Sequence, residues 1–491
     1  VDGQLSAQGG QLAGDGGFIE TSGDIVRIGD RSSIQANAPQ GKAGQWLIDP
    51  VDITISDDGT DQSEDGTNIS TSYITNTLGT GTSVTLNTHK DGNDDGTITV
   101  NGEINVQDYN RATLTLNANK AININADISF TGESKPNLTL ITTEDNSSIN
   151  NRANINIGNG TLNITTGRNG VLNVGSIGAD TVNITAHTIK QAEGVTVSPL
   201  TIKNLNLRQA NPDKSIYIGN TASSPTGAES MAEASLFASD GVFSKVENLK
   251  LNADNKNQDI HLQDVDFQNA NITASQKYTN RSQTLNIAGN VSTQGSLKVN
   301  TEKFNVADNA TLKSYGLDLN YSSLNIIRAG SNAKIISGNK EAFKYTDGIL
   351  FIVNNTDLTQ SASINYDFLN ALEGFSKYEV VNDLDFLTME GGQINKSITF
   401  RGNVLYLDGT LSIASPNNQE LTLTMNGHSD IGVTWGGIQM QGKGTLNLIT
   451  NGAINLQNTK LNMGEGNLNM VAQNLNTDDK SQVSGSGNLY L

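Results

Sequence analysis

One grammar recurs along this chain: an aliphatic residue, a polar one, an aliphatic, a polar. It is written as Leu114-Thr115-Leu116-Asn117, Ile122-Asn123-Ile124-Asn125, Leu249-Lys250-Leu251-Asn252, Leu297-Lys298-Val299-Asn300 and Leu446-Asn447-Leu448. Strict alternation sends one face of a strand into a core and the other into water. Gly, Asn and Asp fill the gaps and supply turns with positive φ. The spacing is regular: Asn163, Asn173 and Asn183 lie ten apart, and Asn447, Asn455, Asn462 and Asn469 seven or eight apart. Two or three such strands make a coil of roughly 20–25 residues, a solenoid period. Hairpins of this length would need two-residue turns throughout, and the gaps are often longer. The pattern therefore predicts an all-β chain, a right-handed parallel β-helix with a thin aliphatic core. Roughly 20 coils at one strand spacing of ~4.8 Å each would make a rod about 100 Å long.

The expected organisation is one continuous β-helix over 1–491, with three stretches that leave the grammar. Residues 210–245 hold Pro212 and Pro225 and then the helix-prone run 228–237. Residues 341–392 hold 8 of the 25 aromatic residues. Within that stretch, 367–374 reads as a capped helix with a glycine stop. Residues 428–441 contain Trp435-Gly436-Gly437. Excursions from a solenoid usually form loops on one face, often the binding face.

Composition narrows the function. The chain has 491 residues, 63 Asn, 50 Gly and no Cys, and its formal net charge is −19. The Asn excess reads as structural, in turns and stacked positions. With no basic cluster, counterion release from nucleic acid and adsorption to anionic lipid are both disfavoured. No run of 18 apolar residues occurs, so no membrane insertion is expected. Val1-Asp2-Gly3-Gln4 does not read as a signal peptide. Absence of cysteine suits a chain that crosses the periplasm unfolded and then threads an outer-membrane pore.

The block Gly9-Gly10-Gln11-Leu12-Ala13-Gly14-Asp15-Gly16-Gly17-Phe18-Ile19-Glu20-Thr21-Ser22-Gly23 is followed by Gly41-Lys42-Ala43-Gly44-Gln45-Trp46-Leu47-Ile48-Asp49-Pro50. Together they resemble the two-partner-secretion exoproteins of Gram-negative bacteria. Within that family the match is to the high-molecular-weight adhesins of Haemophilus, relatives of filamentous haemagglutinin. Ser70–Gly79 with Val84-Thr85-Leu86-Asn87 and Gly96–Val100 is similar to a segment common in the family. The resemblance covers residues 9–130, and beyond that it rests on the Asn-rich coil style. It implies a β-helical adhesin exported through a dedicated outer-membrane translocator partner. Such a protein stays at the bacterial surface and attaches to host epithelium, in some members through sialylated glycans. It also implies that this is the mature part following the secretion domain, without the C-terminal anchor. Glycosylation at Asn-x-Ser/Thr is a further implication. The sequons are Asn68, Asn137, Asn146, Asn159, Asn163, Asn183, Asn271, Asn280, Asn290, Asn309, Asn320, Asn354 and Asn395.

Candidate chemistry is sparse. No paired carboxylates recur at a fixed gap, no nucleophile elbow, phosphate loop or zinc spacing occurs, and the four histidines (89, 187, 261 and 428) stand in different local contexts. A non-catalytic role is expected, with a polysaccharide-degrading β-helix enzyme and a purely structural stalk as rivals. Two acidic turns, one with Asp61 and Asp65 and one with Asp91, Asn93 and Asp95, fit the first half of a Ca2+ loop. Both lack its closing Glu, and a solvated turn is the competing reading. For glycan binding, a sugar wants an aromatic wall and a sialic acid carboxylate wants Arg, Lys or N–H donors. Lys344, Tyr345, Tyr366, Arg401, His428 and Trp435 supply these, with Lys340, Tyr278, Arg281 and Arg328 as weaker candidates. The competing reading is that the aromatics only pack the excursion onto the coils.

Overall fold

The computed structural model describes the chain except for residues 30, 58–65, 91–94, 108–111, 133–134, 221–230, 257, 277–282, 320–325, 338–342, 346–365, 374–377 and 416. Side chains are also undescribed at 326–327, 337, 343–345 and 381–386. The fold is a right-handed parallel β-helix of about 17 turns, close to the expected 20. Its residues divide into two compact units, Val1–Gln283 with Val291–Lys298, and Thr284–Asn290 with Val299–Leu491.

In the first unit, Ser83–Asn87, Thr113–Ala118, Asn137–Thr142, Thr161–Thr165, Ser176–Ala186 and Ile202–Gln209 stack in that order, each parallel to the next. Register keeps like over like. Leu114 pairs with Leu138, Leu138 with Leu162, and Leu162 with Val182. All four are fully buried, as the alternation demands. Trp46 is also fully buried, and its indole Nε1 donates to Thr21 Oγ1 at 3.1 Å.

The outward polar positions stack as well, and this accounts for much of the Asn content. Asn173 Nδ2 donates to Asn150 Oδ1 at 2.6 Å, and Asn150 to Asn123 at 2.8 Å. On another face Asn206 donates to Asn183 at 2.9 Å, and Asn183 to Asn163 at 2.8 Å. The inner amides, Asn150 and Asn183, each donate to the coil before and accept from the coil after. An amide hydrogen bond contributes about 1 kcal/mol net, so the ladders add modest stability and fix the register.

Departures from the grammar are local. Residues Thr71–Gly79 form an α-helix that the strand reading did not foresee. Ser70 caps it by accepting from Ser72 N at 3.3 Å, and Ile74 and Leu78, one turn apart, are fully buried. Within the stretch 210–245 a 3-10 turn forms at Ala234–Phe237. Phe237 packs on Phe243 and Phe267 at ring-centroid distances of 5.5 and 5.0 Å. Ile216–Gly219 is consequently buried on both faces.

In the second unit the long strands Tyr378–Ile394, Ile398–Ile413 and Leu421–Met440 each run round the corners of one coil. Two of the three expected excursions are therefore redrawn. Residues 378–392 and 428–440 belong to the winding, because corners interrupt the alternation without leaving the sheets. The expected helix at 367–374 is Tyr366–Ala371, ending before Leu372–Glu373, which pairs with Lys334–Ser337.

Candidate functional site

Leu421–Met440 visits three faces of its coil. Residues 421–427 pair with Gly444–Thr450, 430–434 with Ala453–Gln457, and 437–439 with Lys460–Asn462. Two corners lie between these faces, one at 427–430 and one at 434–437.

At the first corner, Arg401-Gly402-Asn403, Asn426-Gly427-His428 and Ile449-Thr450-Asn451 stack in three successive coils. Gly402 and Gly427 are in register with each other and with Thr450. A concave cleft of about 500 Å³ lies here, walled by Arg401, Asn403, Asn426, His428, Ile449, Thr450 and Asn451. Its framework is tied: Ser429 Oγ donates to Asn403 Oδ1 at 2.7 Å, and Thr450 Oγ1 to the Ser429 carbonyl at 2.9 Å. Arg401 Nη1 lies 3.5 Å from Glu379 Oε1, with side chains 37% and 10% exposed. A cation is thus held at the cleft by a largely buried carboxylate. Amides and hydroxyls both donate and accept, and a guanidinium only donates, so the cleft suits a hydroxylated ligand, with a place for an anionic group.

Trp435 stands at the second corner. It is 71% exposed, and its φ of 52° is left-handed. A bulky residue in that region carries strain on the order of 1–3 kcal/mol. The corner demands the conformation. Trp435-Gly436 face Gly409 (φ 99°) on one side and Asn458 (φ 48°) with Thr459 on the other. Glycine and asparagine take this geometry at low cost, and the neighbouring coils use them. The intervening coil places a solvent-facing indole there, a local rule broken with no packing gained.

The expected glycan-binding residues thus separate. Arg401 and His428 come together in the cleft; Trp435 occupies the other corner of the same coil. Tyr366 is half-buried and turned inward. Its hydroxyl donates to the Glu390 carbonyl at 2.6 Å, and burial raises its pKa well above the usual phenol range. Phe368 is fully buried and Tyr378 Oη donates to the Leu372 carbonyl at 3.2 Å, so these two aromatics pack the segment. The Lys344 and Tyr345 backbone pairs with Glu379 and Val380; their side chains lie outside the described residues. So do Lys340, Tyr278 and Arg281 entirely, while Arg328 is an exposed strand residue.

Of the candidate calcium residues, Asp61, Asp65, Asp91 and Asn93 lie outside the described residues, and Asp95 is exposed, its carbonyl accepting from Asn119 Nδ2 at 3.1 Å. Among the described residues no group of three or more His, Asp or Glu side chains is placed to hold a metal. The sequons fall into classes. Asn137, Asn146, Asn159, Asn271, Asn290 and Asn309 are exposed, and Asn163 and Asn183 are rungs of a ladder. Asn68 accepts from Ser56 Oγ at 2.8 Å, Asn395 is half-buried, and Asn280, Asn320 and Asn354 lie outside the described residues.

Sequence reasoning did not name Asn403, Asn426, Thr450 or Asn451. The signal was present in Arg401-Gly402-Asn403, Asn426-Gly427-His428 and Thr450-Asn451-Gly452, glycine-containing polar triplets about one coil apart. Neither a protein-family model nor a curated protein matches the chain.

Proposed function

We propose that the chain is an adhesin displayed on the bacterial surface that binds host-cell glycans, sialylated ones foremost, at the Arg401–His428 corner without catalysing a reaction on them. One observation carries this reading: three successive coils surround a concave site of about 500 Å³ with a guanidinium, an imidazole, amides and a hydroxyl. Sugar hydroxyls need partners that both donate and accept, and a sialic acid carboxylate suits a guanidinium. Concavity with a few convergent polar groups is the usual form of a small-ligand site. The acidic composition speaks against nucleic acid as partner. The resemblance over residues 9–130 supports export through an outer-membrane translocator and residence at the cell surface.

The test is a glycan array with the wild-type chain and Arg401→Ala. Selective binding of sialylated glycans, lost in R401A, is the expected result. A wild-type array without any selective glycan would overturn the reading in favour of a stalk. Release of reducing ends from a polysaccharide panel would overturn it in favour of an enzyme.

A further inference from the structure

The face between the two corners carries a second set of groups. Tyr406, in Ile398–Ile413, pairs with Gly432 on the next coil. Ile431 and Val433 point into the core and are fully buried, so position 432 points outward. A β-carbon there would lie 2.7 Å from Tyr406 Cδ2 and 3.1 Å from Cε2. The ring therefore lies across the bare glycine backbone. Its far end is fixed, since Thr434 Oγ1 donates to Tyr406 Oη at 2.7 Å. The phenol thus extends along the strand towards Thr434, the residue before Trp435.

The next coils in this column hold Asn455, paired with Gly432, and Asn476, paired with Asn455. Asn476 Nδ2 donates to Asn455 Oδ1 at 2.8 Å, in the same direction as the other ladders. The next rung would be a donation from Asn455 Nδ2 to residue 432. Glycine offers no side-chain acceptor, so the ladder stops at the edge of the tyrosine ring. A flat aromatic surface and an amide donor stand side by side on an outward face. At one end is the polar cleft, at the other the exposed indole. Between the corners that carry His428 and Trp435 runs the extended face 430–434, about 13 Å long.

We infer that this face is an extended binding lane for a linear oligosaccharide, a trisaccharide or longer. The cleft at Arg401 and His428 takes the polar terminal sugar. The C–H face of an inner ring rests on Tyr406 with a hydroxyl accepting from Asn455 Nδ2, and a further ring stacks on Trp435. The chemistry of the lane selects this occupant. A pyranose has one apolar C–H face and a rim of hydroxyls, which match an aromatic plate beside an amide. A protein partner would bury a larger surface, about 800 Å² per side. Strain at Trp435 is then the cost of presenting an indole where glycine or asparagine would fit.

This inference rests on the proposed glycan-binding cleft, and its test separates the two. Affinities are measured by titration calorimetry for a monosaccharide sialoside and a graded series of sialylated lactosamine oligosaccharides. Wild type is expected to bind the longer members more tightly. Trp435→Ala should lower affinity for the longest about tenfold, the effect of losing one aromatic contact, and leave the monosaccharide sialoside unchanged. Trp435→Asn, which suits the left-handed corner as Asn458 does, serves as the second variant and should behave alike. Arg401→Ala should weaken every member. If wild-type affinity does not rise with length, or if both Trp435 variants keep the rise, the lane is overturned while the cleft reading stands. If the wild-type chain binds no member, the cleft reading and the lane fall together.

Discussion

Tyr406 lies across the α-carbon of Gly432, with ring carbons where a side chain at 432 would begin. Substitution at the two kinds of glycine on this coil should therefore differ sharply. In Gly432→Ala the clash is with a ring that can swing outward, so the variant should fold, losing about 1 kcal/mol with the Thr434 hydrogen bond and weakening oligosaccharide binding. In Gly436→Ala the new β-carbon would meet the Gly409 backbone at 2.2 Å, which can yield only by moving the coil. That variant should lose about 3 kcal/mol. Thermal unfolding of the two variants checks the contrast.

Asn183 donates to Asn163 and accepts from Asn206. Asn183→Asp removes the donor and sets a carboxylate against the Asn163 oxygen, at a cost of about 1–3 kcal/mol. Asn159→Asp, at an exposed sequon, should stay within about 0.5 kcal/mol of wild type. Denaturation followed by fluorescence of the buried Trp46 measures both. The same geometry predicts that a glycosyltransferase acting on the folded chain modifies Asn137, Asn146 and Asn159 but spares Asn163 and Asn183, which peptide mass spectrometry will read.

Lys396 Nζ donates to the carbonyls of Asn370 and Leu372 and sits 4.7 Å from the Tyr378 ring centroid. Burial lowers its pKa from 10.5 to about 8, with Glu373 opposing the shift. Between these values the unfolded chain holds a proton that the folded chain has released, so this group's contribution to stability rises with pH across the window. Below pH 8 both states are protonated and the cost of burying the charge is fully present. Lys396→Met lacks the titration. The stability difference, wild type minus K396M, should therefore grow from pH 8 to pH 10, as thermal midpoints across that range will show; a constant difference would contradict the burial argument.

Glu379 and a bound carboxylate would compete for Arg401. Glu379→Gln should therefore raise affinity for a sialylated ligand several-fold and leave its desialylated analogue unaffected. Its cost in stability should be about 0–1 kcal/mol, since Arg401 is more than a third exposed. Calorimetry with the paired ligands gives both values.

The fold was legible because a period of two over many short strands, with Asn returning at coil spacing, admits few architectures. Leu114, Leu138 and Leu162 were already in phase along the chain before register was known. The helix Thr71–Gly79 was missed because its residues are β-branched and polar. Only the Ser70 cap and the Ile74–Leu78 spacing betray it. His428–Gln441 was read as leaving the winding because Gly427-His428-Ser429 and Trp435-Gly436-Gly437 break alternation, yet a corner breaks it too. For the site, the sequence put His428 and Trp435 one or two coils after Arg401, with no means of telling which of them share a corner. Placing Trp435 required knowing where corners fall within a coil, which depends on the backbone turns of neighbouring coils.

The asparagine rungs have one further consequence. Each amide presents to the following turn what the preceding turn presents to it, so any ladder-bearing turn is a tile with matching upper and lower edges. A tile of this kind can be duplicated or excised whole, and the cut edges still fit. Reach can then change in increments of a single turn, while the Arg401 corner, assembled from only three adjacent tiles, travels intact.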